Sequence, residues 1–150
     1  MNRMTIIDRS ALLPFSAESV FDLVADIEGY PDFLPGCVGA EIIERDTHTV
    51  TARLALSRAG MTQSFMTQNT LARAQTIDLR LIDGPFERFS GVWTFKSLAP
   101  EACKVALLLD FRLKSSLINA AAGKLFDRVA HDLVDAVVKR AQTVLGDSVL

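Results

Sequence analysis

From residue 38 to residue 113 the chain alternates apolar and polar side chains, segment after segment; from about 117 to 145 the period changes to three and four. A period of two puts successive side chains on opposite faces of a strand, and a period near 3.6 puts them on one stripe of a helix. Val50, Ala52, Leu54 and Leu56 share a face, with Thr49, Thr51, Arg53 and Ser57 opposite. Ile77, Leu79 and Leu81 alternate with Asp78 and Arg80. Phe89, Gly91, Trp93 and Phe95 form a third set, and Val105, Leu107, Leu109, Phe111 and Leu113 a fourth. Residues 38–45 alternate in part, and 61–73 read as a Thr- and Gln-rich strand carrying Met61, Phe65 and Leu71. Turns are expected at Asp46-Thr47-His48, Arg58-Ala59-Gly60 and Ala99-Pro100-Glu101. Consecutive strands with one apolar face and short connections predict an antiparallel sheet with one buried side.

The flanks complete the layout. Residues 3–13 read as a strand ending at Pro14, and Ser16 is placed to cap a helix over 17–27 that Gly29 ends. Phe15 and Val20 are spaced for a hydrophobic staple. Val20, Leu23, Val24 and Ile27 form its buried stripe, and Glu18, Asp22 and Asp26 its wet one. In the last segment Ile118, Ala122, Leu125, Phe126, Val129, Leu133, Ala136, Val137, Ala141 and Val144 recur at helical spacing. Lys124, Asp127, Arg128, Asp132, Asp135 and Lys139 fill the other side. Such a helix is ~43 Å long, enough to cross a whole sheet. The expectation is a single α+β domain over 1–150: a curved antiparallel sheet of about seven strands wrapped around a long C-terminal helix, with a short helix after the first strand. Apolar faces of a curved sheet and a straight helix separate, so a cavity is expected between them.

Composition supports this reading. The apolar share is 49% and the mean hydropathy +0.25, yet the longest uninterrupted aliphatic run, Val105–Leu109, is far short of the ~18–20 residues of a membrane span. Two cysteines, Cys37 and Cys103, and two histidines, His48 and His131, have no metal or disulfide spacing. The N-terminal residues lack the pattern of a targeting peptide, which predicts a cytoplasmic protein; a Phe33-Leu34 lip touching a membrane would add peripheral contact at the inner membrane. A net charge of −2 argues against a general nucleic-acid binder, and DNA is not an expected partner. Residues 1–46 hold nine acids and three bases, and 47–150 nine acids and thirteen bases, so one face could still be basic.

The layout resembles the START-like superfamily, the helix-grip or polyketide cyclase/dehydrase-like fold. Tyr30-Pro31-Asp32-Phe33-Leu34-Pro35-Gly36-Cys37 is similar to the signature that follows the first helix in the coenzyme Q-binding family. Asp83-Gly84-Pro85-Phe86, followed by Gly91-Val92-Trp93-Thr94-Phe95, resembles that family's second signature. The likeness runs over about 3–145, and Gly36, where the mitochondrial branch tends to carry Trp, points to the bacterial ribosome association toxin branch. The resemblance implies non-catalytic binding of ubiquinone or a related polyprenyl lipid in support of respiratory electron transport, with no cofactor required. The bacterial branch implies an alternative: a toxin that binds the large ribosomal subunit and blocks subunit association.

Candidate ligand-binding residues follow from position. Phe33, Leu34 and Pro35 lie in a Pro-bracketed loop that reads either as a lip of the cavity or as a plug at the sheet end. Phe86 begins a strand after a Gly-Pro turn, at the rim or in a structural hairpin. Trp93 shares its face with Gly91, which marks a close approach; Phe65 faces the same space. Leu125, Phe126 and Val129 are inward residues of the long helix, and Ala120-Ala121-Ala122-Gly123 leaves room at its start. Thr62, Ser64, Gln68 and Thr70 read as a solvated strand face, although Gln63, Gln68 or Asn69 could donate to a quinone head group. Cys37 reads as a small buried residue. A ribosome-facing surface would draw on Arg53, Arg58, Arg73, Arg80 and Arg88. A cyclase- or dehydrase-type enzyme, the third reading, would need an acid and a base converging in the cavity, such as Asp110 or His131 with a second group.

Overall fold

A computed structural model describes residues 4–58, 60–114 and 120–146, with the side chains of residues 120–122 excepted. The expected turn residue Ala59, the helix start at 117–119 with Ile118, and the side chains of the Ala120-Ala121-Ala122 run lie outside the described residues. Seven strands form one antiparallel sheet. They are β1 (Thr5–Leu13), β2 (Cys37–Arg45), β3 (Thr49–Arg58), β4 (Met61–Ala72), β5 (Thr76–Asp83), β6 (Phe86–Ala99) and β7 (Ala102–Leu113). Their order is β1-β7-β6-β5-β4-β3-β2, so β2 to β7 meander and β1 closes against the last strand. Helix α1 (Ala17–Ala25) and helix α2 (Ala120–Gly146) complete the chain. The sheet is curved and grips the long helix, as the sequence pattern predicts.

The N-terminal helix is shorter than expected. The Ser16 side chain accepts from the Ser19 N–H, so the predicted cap forms. Phe15 is half-buried against the core. Val20, Val24 and Ile27 are buried, Leu23 is half-buried, and Phe21 is buried as well. The helix stops at Ala25, not at Gly29, and the chain tightens into a 3-10 helix over Ile27–Asp32. Tyr30 explains the early stop. Its hydroxyl donates to the Val24 carbonyl at 2.5 Å, one of the last four acceptors that a helix leaves without a partner.

A β-bulge aims the aromatic core. In β6, Phe86 faces Leu113 and Arg88 faces Arg112, so Glu87 is the extra residue. The shift puts both Phe86 and Phe89 on the inner face, where strict alternation would separate them. Phe86 then meets Phe126 at 4.9 Å, Phe89 at 5.1 Å, Phe111 at 5.6 Å and Phe65 at 5.7 Å between ring centroids. Gly84 makes the preceding turn possible: its φ is +156°, and a Cβ there would sit 2.8 Å from the Phe65 Cβ.

Helix α2 lies across the sheet, against β1 and β7 on one side and β3 and β4 on the other. Leu125, Phe126, Val129, Ala136, Val137 and Ala141 are buried as expected. Leu133 is half-buried, and Val144 is exposed rather than part of the stripe, beyond the sheet's cover. Ala130 and Val134 are buried in its place. The polar side of α2 is tied to β1: Thr5 Oγ1 donates to Asp127 at 2.7 Å, and Arg9 reaches Asp135 at 2.8 Å and the His131 carbonyl at 2.7 Å. Among the described residues, no helix is long and apolar enough to cross a membrane.

Deleting the ring of Phe86 removes the centre of the aromatic cluster. Phe86→Ala is expected to lower unfolding stability in urea by about 3–5 kcal/mol. Ser90→Ala, on the exposed face of the same strand, is expected to stay within about 0.5 kcal/mol of the parent.

Candidate functional site

The cavity expected between sheet and helix is present. It holds about 90 Å³, which corresponds to roughly six to nine water-sized volumes. Ile27, Tyr30 and Leu34 wall one end. β3 supplies Ala52, Leu54 and Leu56, and β4 supplies Phe65, Thr67 and Asn69. Leu79, Phe86, Phe89, Trp93, Leu109 and Phe111 come from β5 to β7, and Phe126, Val129, Ala130 and Leu133 from α2. The wall is therefore aliphatic and aromatic, and its polar groups are those of Tyr30, Thr67, Asn69 and the Trp93 indole N–H.

Six of the ten expected ligand-binding residues face this space: Leu34, Phe65, Phe86, Trp93, Phe126 and Val129. The other four do not. Phe33 is half-buried beside Tyr30, with ring centroids 5.5 Å apart, and carries the Arg140 guanidinium 5.4 Å from its own centroid. Pro35 is exposed. Gly91 is buried, but Leu79 and Leu109 fill the space in front of it, each with a methyl 3.0 Å from where a Cβ would lie. Leu125 is packed in the core away from the wall. The Pro-bracketed segment thus contributes Leu34 and Tyr30 inward, and its first half is helical rather than a loop.

Of the three residues expected to donate to a head group, Asn69 is on the wall and Gln63 and Gln68 are not, while Thr67 was not anticipated. Thr67 and Asn69 are the buried polar side chains among the described residues, 7% and 6% exposed. The Thr67 hydroxyl donates to Asn69 Oδ1 at 2.9 Å. Parity with Phe65 and Leu71 identifies both as inward-facing. Sorting β4 by its polar composition concealed this for Thr67. Thr62, Ser64 and Thr70 lie on the exposed face, and Gln68 accepts from Arg80 there at 2.9 Å. Tyr30 was missed because it sits beside the more conspicuous Phe33.

Among the described residues, Tyr30 is the only lining residue with an ionisable side chain. Burial, helped by Cys37 and Asp26, pushes its phenol well above the ordinary range, so it stays neutral and bonded to Val24. Burial also raises the Cys37 thiol, against a weaker opposing hydrogen bond from the Gly39 backbone, and raises Cys103. His48 and His131 are exposed, and Asp110 is engaged by Arg88 at 3.0 Å. No cluster of metal-ligating side chains occurs among the described residues.

With this geometry in hand, comparison with known proteins places the chain. A family model described as polyketide cyclase / dehydrase and lipid transport matches residues 13–138. The chain belongs to that family. Within the polyketide cyclase family it is 42% identical over 141 residues to the ribosome association toxin RatA of Escherichia coli, covering 94% of this chain and 89% of that one. It is 26% identical over 141 residues to a mitochondrial coenzyme Q-binding protein COQ10 homolog of Xenopus laevis, covering 91% and 58%. A START superfamily protein from Mycobacterium smegmatis superposes with a TM-score of 0.76 at 22% identity, over 93% of this chain and 98% of that one, which shows the family fold.

The raised thiols give a direct check. A thiol with a raised pKa carries less thiolate at pH 8 than an ordinary cysteine. Both cysteines of the native protein are expected to react with a chromogenic disulfide reagent far more slowly than free cysteine, and both to react at once in denaturant. A fast native phase would contradict the burial.

Proposed function

We propose that this protein is a RatA-type ribosome-associating protein, which binds the large ribosomal subunit and hinders subunit association by contact alone. The observation that carries the reading is the 42% identity with a ribosome association toxin along 94% of the chain. The cavity wall supports a role without chemistry, because Tyr30 has no second titratable side chain beside it to complete an acid–base pair.

Binding ribosomal RNA with a net charge of −2 requires local cations. Of the five arginines expected to supply them, Arg53 is paired with Glu41, Arg73 with Asp22 and Arg88 with Asp110. Arg80 meets only the neutral Gln68, and Arg58 has no carboxylate partner among the described residues. Arg58 and Arg80 can therefore reach a phosphate without giving up an ion pair. Arg58→Glu with Arg80→Glu is expected to lower co-sedimentation with large subunits roughly tenfold at moderate salt. Absence of co-sedimentation by the parent protein at low salt would overturn the reading.

A second reading rests on the cavity and is compatible with the first, since one uses the interior and the other the surface. The cavity takes a neutral, mostly apolar molecule such as ubiquinone or a related polyprenyl lipid, as the likeness to a coenzyme Q-binding homolog suggests. At about 90 Å³ the space is smaller than the ~150 Å³ that takes a benzene ring, so a ring-bearing head group enters as the walls give way. Solvent extraction of the purified protein followed by mass spectrometry is expected to recover a prenylated or similarly apolar compound in stoichiometric amount. An empty protein with no saturable quinone binding would contradict this second reading.

A further inference from the structure

We propose that Thr67 and Asn69 form a polar anchor that makes the cavity selective for apolar ligands carrying a neutral hydrogen-bond acceptor, a carbonyl or ether oxygen. The inference rests on the reading of the cavity as a ligand site and names the chemistry that site selects.

Asn69 is 6% exposed and lines the cavity. Its Oδ1 is taken by the Thr67 hydroxyl. That bond fixes the amide orientation and turns the NH2 group away from Thr67. The flanking strands offer no relief: Asn69 is in register with Val50 and Leu79, and Thr67 with Ala52 and Leu81, so aliphatic residues bracket the pair on both sides. Among the described residues, the Asn69 side chain makes its hydrogen bond to Thr67 and to no other side chain. Yet among the described residues the one side-chain nitrogen or oxygen sealed off without a partner is Arg112 Nε. The Asn69 NH2 is therefore not sealed; it opens onto the cavity it lines. Tyr30 does not compete for an acceptor there, because its hydroxyl is already bonded to Val24.

Burying an amide without its full set of partners is costly, and the Leu, Phe and Ala around it on the sheet face give it no structural use. The Trp93 indole N–H is another donor on that face, and the double variant below leaves it in place. An acceptor oxygen on the ligand would complete the set. A pure hydrocarbon would leave the donor unmet, and a carboxylate or phosphate would need a cation that the wall lacks. The anchor thus favours a ketone, quinone or ester over an alkane and over an ionised fatty acid.

The test compares butyrophenone with butylbenzene, which share a carbon skeleton and differ by one carbonyl, using equilibrium dialysis against the purified full-length protein. The parent is expected to bind the ketone roughly tenfold tighter than the hydrocarbon. In Thr67→Val with Asn69→Leu, which removes both polar groups together and leaves no orphan, that preference is expected to vanish while the hydrocarbon binds at least as well. Equal binding of the two compounds by the parent overturns the anchor without requiring any variant to fold. A ketone preference that survives in the double variant also overturns it, while leaving the cavity reading intact. Binding of neither compound to the parent removes the cavity reading and the anchor with it.

Discussion

Helix α2, 27 residues long, does not stay in contact with the curved sheet along its whole length. Everything distinctive about this molecule follows from that mismatch. Helix α2 reaches the sheet through β1 and β7 on one side and β3 and β4 on the other. Between these lines of contact the inner faces draw apart, and the side chains available are too few to fill the gap. The Glu87 bulge limits the loss: by turning Phe86 inward beside Phe89, it builds an aromatic wall that Phe126 of α2 can touch. What remains is a lined space rather than a collapsed core.

That division also separates the two kinds of binding the chain supports. The interior is neutral and largely apolar, and its ionisable member, Tyr30, is consumed in holding the 3-10 helix against α1. The exterior carries the charge, and three of the five arginines proposed to face an anionic partner are already matched by carboxylates. Exposed pairs of this kind contribute little to stability. They do determine which cations are available at no cost to a partner.

The sheet was legible in the sequence because one face is buried and the other is wet, a condition that writes itself as alternation in β3 and in β5 to β7. Where it failed, the backbone was irregular. The alternation in β2 is partial because its register shifts between Cys37 and Gly39 and again between Ile42 and Glu44. The bulge at Glu87 carries no mark in residue type, so Phe86 could not be assigned to rim or core. Helix α1 ended early because of a bond from Tyr30 six residues away, which no local propensity encodes. Leu34, Phe65, Phe86, Trp93, Phe126 and Val129 were found by their apolar character and position; Phe33 and Pro35 were chosen by the same criterion and lie outside the wall. Thr67 is the converse case, a polar residue on an inward face, visible to parity and hidden from composition, whereas Asn69 was singled out by its amide.

The central claim is that the space under α2 is a true cavity at its middle and close-packed toward its end. Ala130 lines the space, whereas Ala141, on the same helix, is fully buried in packed core. Urea denaturation of Ala130→Leu and Ala141→Leu compares the two directly. If the account is right, Ala130→Leu changes stability by less than about 1 kcal/mol, because the added carbons enter empty space, and Ala141→Leu costs about 1–3 kcal/mol through overpacking. Equal losses in the two variants would mean that the space is not there.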